Sequence, residues 1–127
     1  MGNLGNPRTP GRLTTHVLDT MHGVPAAGMQ VRLYWLGDDV VPSALATLTL
    51  NADGRAPGPL LEGDAFKAGR YRLVFDVAAY FKGRGVELAE PAFLDDVPID
   101  FGIADASSHY HVPLLVSPWS YSTYRGS

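Results

Sequence analysis

Apolar and polar residues alternate with a period of two through most of this chain. In "MQVRLYWL", Met29, Val31, Leu33 and Trp35 fall on one side and Gln30, Arg32 and Tyr34 on the other. That is the pattern of a strand with one face on a core. "GRYRLVFDV" repeats it, with Tyr71, Leu73 and Phe75 against Arg72, Val74 and Asp76. In "RLTTHVLD", Leu13, Thr15 and Val17 oppose Thr14, His16 and Leu18. In "HYHVPLLV", Tyr110, Val112, Leu114 and Val116 form the core row, and His109, His111, Pro113 and Leu115 lie opposite. "SALATLTLN", with Ala44, Leu48 and Leu50 among its apolar positions, reads as a strand, as do "DVPIDFGIAD" and the terminal "SYSTYR". In the last, Ser120, Ser122 and Tyr124 alternate with Tyr121 and Thr123. A short edge strand is expected near Pro59-Leu60-Leu61, where proline is tolerated.

One segment breaks the period. "AAYFKGRG" predicts two turns of helix ending at Gly83 or Gly85, where a left-handed cap costs little. The Asp-Gly of "NADGR" marks a turn that delivers Arg55 to the next segment. Seven or eight short strands, one short helix and abundant Gly and Pro predict an all-β fold, an antiparallel β-sandwich. At 127 residues the chain is long enough for one core. Residues 1–10, rich in Gly, Asn and Pro, read as a flexible leader, and 11–127 as a single domain.

Composition narrows the partners. Net charge is −3 with no basic run, which argues against nucleic acid. The absence of cysteine excludes a disulfide scaffold, a thiolate zinc site and a cysteine nucleophile, and fits a reducing compartment. With no signal-peptide core and no apolar run of about 20 residues, a cytoplasmic protein without membrane contact is expected.

Chemistry concentrates on histidine. His16 and His111 each sit on the strand face opposite an apolar row, and imidazole is the side chain best suited to general-base work near neutrality. A half-buried strand histidine with no catalytic part is the plainer alternative. His109 and His111, two apart, have ligand-like spacing, but that face carries no carboxylate or thiol and no metal is expected. No G-x-S-x-G nucleophile elbow is present. His22, beside Gly23, reads as an exposed turn residue.

"LTTHVLDTMHGVPAAGM" and the closing "HYHVPLLVSPWSYSTYRGS" closely resemble the transthyretin-related proteins, in the branch that hydrolyses 5-hydroxyisourate. The resemblance runs from about Gly11 to Ser127, and the final Tyr-Arg-Gly-Ser is its most specific element. It implies a transthyretin-like sandwich assembled as a homotetramer, a dimer of dimers with a central cleft. It implies a cofactor-independent cyclic amide hydrolase of urate breakdown, opening 5-hydroxyisourate to 2-oxo-4-hydroxy-4-carboxy-5-ureidoimidazoline. The catalytic positions implied are His16, Arg55 and His111, with Tyr124, Arg125, Gly126 and Ser127 binding substrate. Which histidine is the base stays open, as does whether Arg125 is structural, through a salt bridge, or orients the histidines. A transthyretin-like carrier of a small ligand is the competing class. Pro113, lacking a ladder donor, is expected to bend or bulge the strand beside His111.

Overall fold

The computed structural model describes residues 11–37 and 40–126, so the expected leader and Ser127 lie outside the described residues. The chain runs β1 (Arg12–Asp19), β2 (Val24–Pro25), β3 (Gln30–Trp35), β4 (Ser43–Thr49), β5 (Leu61–Glu62), β6 (Gly69–Asp76), α1 (Val77–Gly83), β7 (Asp96–Ile103), β8 (His109–Val116) and β9 (Tyr121–Thr123). One sheet has the order β2-β1-β8-β9, with β5 on β1, and the other β4-β3-β6-β7. The sandwich is therefore all-β, as expected, with one α-helix among the described residues, after β6. Only the two-residue β2 lies in a segment read as a pure turn.

The period of two sets the core. Leu13 and Val17 of β1 and Val112, Leu114 and Val116 of β8 meet Val31, Leu33, Leu73, Phe75 and Val97 of the facing sheet, all at most 5% exposed. Burying side chains of this size stabilises by about 1.5–3 kcal/mol each. Thr15, on the same inner row, is 2% exposed and donates its hydroxyl to the Val112 carbonyl at 2.6 Å, so its polarity is satisfied. On the outer face of β3, Arg32 bonds Asp76 at 2.9 Å and Asp96 at 3.0 Å. These carboxylates sit opposite each other across β6 and β7, and the guanidinium offsets their repulsion.

The helix end follows the expected cap. Gly85 has φ +83°, its N–H bonds to the Lys82 carbonyl at 2.9 Å, and Val86 N–H reaches the Phe81 carbonyl at 3.0 Å. This is the paired bonding of a Schellman motif, which needs a residue free to be left-handed.

Three local features differ from the plain alternation. Leu33 pairs with Ala46 but Tyr34 with Ala44, so Leu45 is an extra residue in β4. This bulge shifts the phase: Ala46, Leu48 and Leu50 pack inward and Ala44 is exposed. Secondly, β1 and β8 run parallel, from Arg12 opposite His109 to Asp19 opposite Val116, in an otherwise antiparallel sandwich. Far apart in sequence, they are free of the hairpin turn that forces antiparallel pairing. Thirdly, Pro113 adds no residue to β8. Pairing with β9 runs from Val116↔Tyr121 to Leu114↔Thr123, stops, and resumes at His111↔Gly126 in the same register. A missing N–H interrupts the ladder there without a slip.

Candidate active site

The parallel register of β1 and β8 decides what the outer face of this sheet presents. Thr14 lies directly opposite His111, Arg12 opposite His109 and His16 opposite Pro113. Because alternate residues share a face, Thr14, His16, His109 and His111 converge there. The imidazoles of His16 and His111 stack with centroids 4.7 Å apart and planes 19° apart. His16 Nδ1 is 2.5 Å from His111 Nε2. His111 Nδ1 is 2.7 Å from the Thr14 hydroxyl, which is also 2.8 Å from His109 Nε2. Four side chains form one unbroken chain of contacts.

Arg55 arrives as its turn dictates. Asn51 Oδ1 accepts from the N–H groups of Asp53 and Arg55 at 2.9 and 3.1 Å, and Gly54 sits at φ +70°. A Cβ on Gly54 would lie 2.7 Å from the Val17 carbonyl oxygen, so only glycine brings the turn this close to β1. Gly54 in turn accepts from Val17 N–H at 2.9 Å, and Arg55 forms an isolated antiparallel bridge with His16. Arg12, Thr14, Arg55 and Pro59 line an open groove of about 260 Å³, and of these Thr14 also contacts His109 and His111.

From the other side comes the chain's last segment. His111 N–H donates to the Gly126 carbonyl at 3.2 Å, and Gly126 N–H donates to the His111 carbonyl at 2.7 Å. A Cβ at position 126 would stand 3.2 Å from both Cβ and Cδ2 of His111. Tyr124 is exposed, one position ahead of Arg125. The Arg125 guanidinium lies 4.2 Å from the Tyr110 ring centroid and donates to the His109 carbonyl at 3.3 Å. Arg125 thus meets β8 through a cation–π contact and a hydrogen bond, and among the described residues it forms no salt bridge.

All three clustered histidines are biased toward neutrality. Burial, with His16, Arg55 and His109 nearby, pushes the His111 imidazole down to about 4. Burial and then Arg55 lower His16, and burial with Arg12 and Arg125 lowers His109. The causes are desolvation, which disfavours a charged imidazole, and like charge close by. Neutral at pH 7, each ring has one lone pair and one N–H, so the group can accept and pass protons. Among the described residues no three His, Cys, Asp or Glu side chains are grouped to hold a metal ion.

His16, Arg55, His111 and Gly126 therefore come together, with Tyr124 and Arg125 alongside; Ser127 lies outside the described residues. Thr14 and His109 join them as partners; sequence reasoning did not single out Thr14 and weighed His109 only as a metal ligand with His111. The signal for a joint role was their sharing a face with His16 and His111, which gains meaning once the strand register is known. His22 belongs elsewhere. Its Nδ1 is 2.6 Å from Asp19 Oδ2, and Asp19, fully buried, also accepts from the Tyr80 hydroxyl at 2.8 Å. Burial raises Asp19, but the hydrogen bonds from His22 and Tyr80 outweigh it and hold the carboxyl low. This network anchors α1 to the end of β1.

Known proteins resemble this chain in sequence and fold. The chain is 54% identical over 127 residues to 5-hydroxyisourate hydrolase from Pseudomonas aeruginosa, covering 100% of both chains. Its fold matches the structure of Klebsiella pneumoniae 5-hydroxyisourate hydrolase with a TM-score of 0.75 and 37% identity, over 92% of this chain and 99% of that one. It matches sea bream transthyretin in complex with thyroxine with a TM-score of 0.81 and 28% identity, over 91% and 94% of the two chains. No helix among the described residues is long and apolar enough to cross a membrane. A model described as the HIUase/Transthyretin family matches residues 13–126, a span that includes both histidines of the stacked pair, Arg55 and Gly126, and the chain belongs to that family.

Proposed function

We propose that this chain is a 5-hydroxyisourate hydrolase, opening the six-membered ring of its substrate by water attack on a lactam carbonyl. The observation that carries the reading is the contact of His16 with His111, two neutral imidazoles beside Arg55. Its relatives named for this activity support it. A carrier for a mostly apolar ligand wants an apolar lining, whereas this face offers three histidines and a groove edged by Arg12 and Arg55.

In this mechanism His16 takes a proton from water, whose oxygen bonds to the carbonyl carbon. The oxyanion develops against the planar fork of Arg55, which suits a flat, oxygen-rich heterocycle. The carbon–nitrogen bond then breaks, the nitrogen takes the proton from His16, and the carbonyl carbon becomes a carboxylic acid. Its remaining proton, the second from water, is released to solvent to leave the carboxylate. Tyr124, Arg125 and Gly126 wall the substrate's place, and Ser127 is assigned to binding with them by resemblance. No cofactor takes part. We also infer a homotetramer, a dimer of dimers, whose central cleft brings these faces together. In favour of it, Trp119, Tyr121 and Tyr124 are 61, 44 and 57% exposed on this chain alone, a large apolar surface for a monomer.

The hydrolytic step is tested by single turnover in ¹⁸O-water. One heavy oxygen is expected in the product carboxylate, and a product carrying none would exclude water attack at that carbon. The chain-end contact is tested by Gly126→Ala. The added methyl displaces the His111 ring by a few tenths of an ångström, and misplacements approaching 1 Å cost about 10²-fold. Turnover should fall roughly tenfold with thermal unfolding unchanged, as read by steady-state kinetics and a melting curve.

A further inference from the structure

Thr14 has a single hydroxyl proton and touches two imidazole nitrogens, His109 Nε2 and His111 Nδ1. It donates to one and must then accept from the other. This restriction propagates. When Thr14 donates to His109, it accepts from His111 Nδ1–H, and His111 Nε2 is left with its lone pair. That lone pair faces His16 Nδ1, which must carry the proton. His16 Nε2, which has no hydrogen-bond partner among the described residues, is then a free base. When Thr14 donates to His111, every proton sits one place over and His16 Nε2 carries N–H instead.

From this contact chain we infer that Thr14 and His109 are positioning residues: they set the tautomers of His111 and His16 and carry the abstracted proton away from the reacting centre. The inference rests on the hydrolase reading for its role in turnover. The protons balance over the cycle. His16 Nε2 takes one proton from water; His16 Nδ1–H passes to His111 Nε2; His111 Nδ1–H passes to Thr14; the Thr14 proton passes to His109 Nε2. His109 becomes the imidazolium at the far end, and Thr14 again has one proton. When the carbon–nitrogen bond breaks, His16 Nε2–H gives its proton to the leaving nitrogen and each transfer reverses. No oxidant, metal or further reactant is required.

The surroundings suit this task. Arg55 acts on His16 and His111, which disfavours a cation resting beside the oxyanion's own partner. His109 is the least enclosed of the three; Arg12 and Arg125 disfavour its cation too, so the proton rests there only until the leaving nitrogen takes it back. Register holds the chain in place: Thr14 is the cross-strand partner of His111, and His109 and His16 lie one face-step to either side.

Thr14→Val keeps the β-branched shape and removes the hydroxyl; Thr14→Ser keeps the hydroxyl. We expect Thr14→Val to lower kcat about 10- to 100-fold, the range for partners that orient a metal-bound histidine from behind. KM and the melting curve should stay as in the wild type, and Thr14→Ser should restore kcat. A second measurement needs no substrate: the ¹⁵N imidazole spectrum of His111. It should show correlated tautomers of His16 and His111 in the wild type and Thr14→Ser, with that correlation lost in Thr14→Val and altered in His109→Leu. Unchanged tautomers in Thr14→Val, or a wild-type kcat in that variant, would overturn the relay while leaving the hydrolase reading intact. Correlated tautomers that respond to Thr14, in a wild-type protein that turns nothing over, would support the proton chain and count against the hydrolase reading alone.

Discussion

His111→Asn should reduce turnover of 5-hydroxyisourate by about 10²–10⁴-fold, the usual worth of a positioned acid–base group. His111 occupies the centre of the site: it contacts His16 on one side and Thr14 on the other, and its backbone pairs with Gly126. Asparagine retains a polar side chain but has no nitrogen that titrates. The melting behaviour gives a second readout. The His111 imidazole is pushed down to about 4 in the folded protein by burial and by His16, Arg55 and His109, against ~6.5 for an unperturbed histidine. Between those values the unfolded chain binds the extra proton, so the contribution is fully present above pH ~6.5 and is lost as pH falls toward about 4. In His111→Asn, stability should vary less steeply with pH across that window. Equal slopes for variant and wild type in denaturant titrations would contradict the assigned environment.

Arg55→Ala carries the second large expectation. Loss of one preorganised donor to an oxyanion costs about 10²–10³ in kcat, and Arg55 also orders the substrate. Its backbone is held by Asn51 independently of the guanidinium, through Asn51 Oδ1 at 3.1 Å and Asn51 N–H at 2.8 Å. The turn should therefore survive, with an unchanged circular dichroism spectrum. Arg55→Lys should recover little, because an ammonium keeps the charge but not the planar fork. Removing Arg55 also removes a cation that holds His16 down. The acid limb of the residual activity should consequently move to higher pH. A wild-type kcat in Arg55→Ala would end the oxyanion role.

Period-two alternation made most of the core and both site faces readable from residues alone. Val31, Leu33, Leu73, Phe75, Leu114 and Val116 are buried as their spacing requires, and His16 and His111 lie on the opposite faces of their strands. What spacing does not carry is which strands become neighbours, because pairing between distant segments depends on the whole chain's packing. The parallel β1–β8 register, which places Thr14 against His111, was illegible for that reason. So was the bulge at Leu45, a local phase change that alternation alone reads as continuous strand. Arg55 looked like any turn residue until Gly54 was seen pressed against Val17. Its assignment rested on family resemblance, as did that of Gly126, and the structure supplies the geometry for both.

The most direct measurement generates 5-hydroxyisourate in situ with uricase and follows its ultraviolet decay with this protein added. A decay faster than buffer is expected, in proportion to protein concentration, with a return to nearly the buffer rate for His111→Asn. A decay no faster than buffer, or an acceleration that His111→Asn fully retains, would contradict hydrolysis at this site.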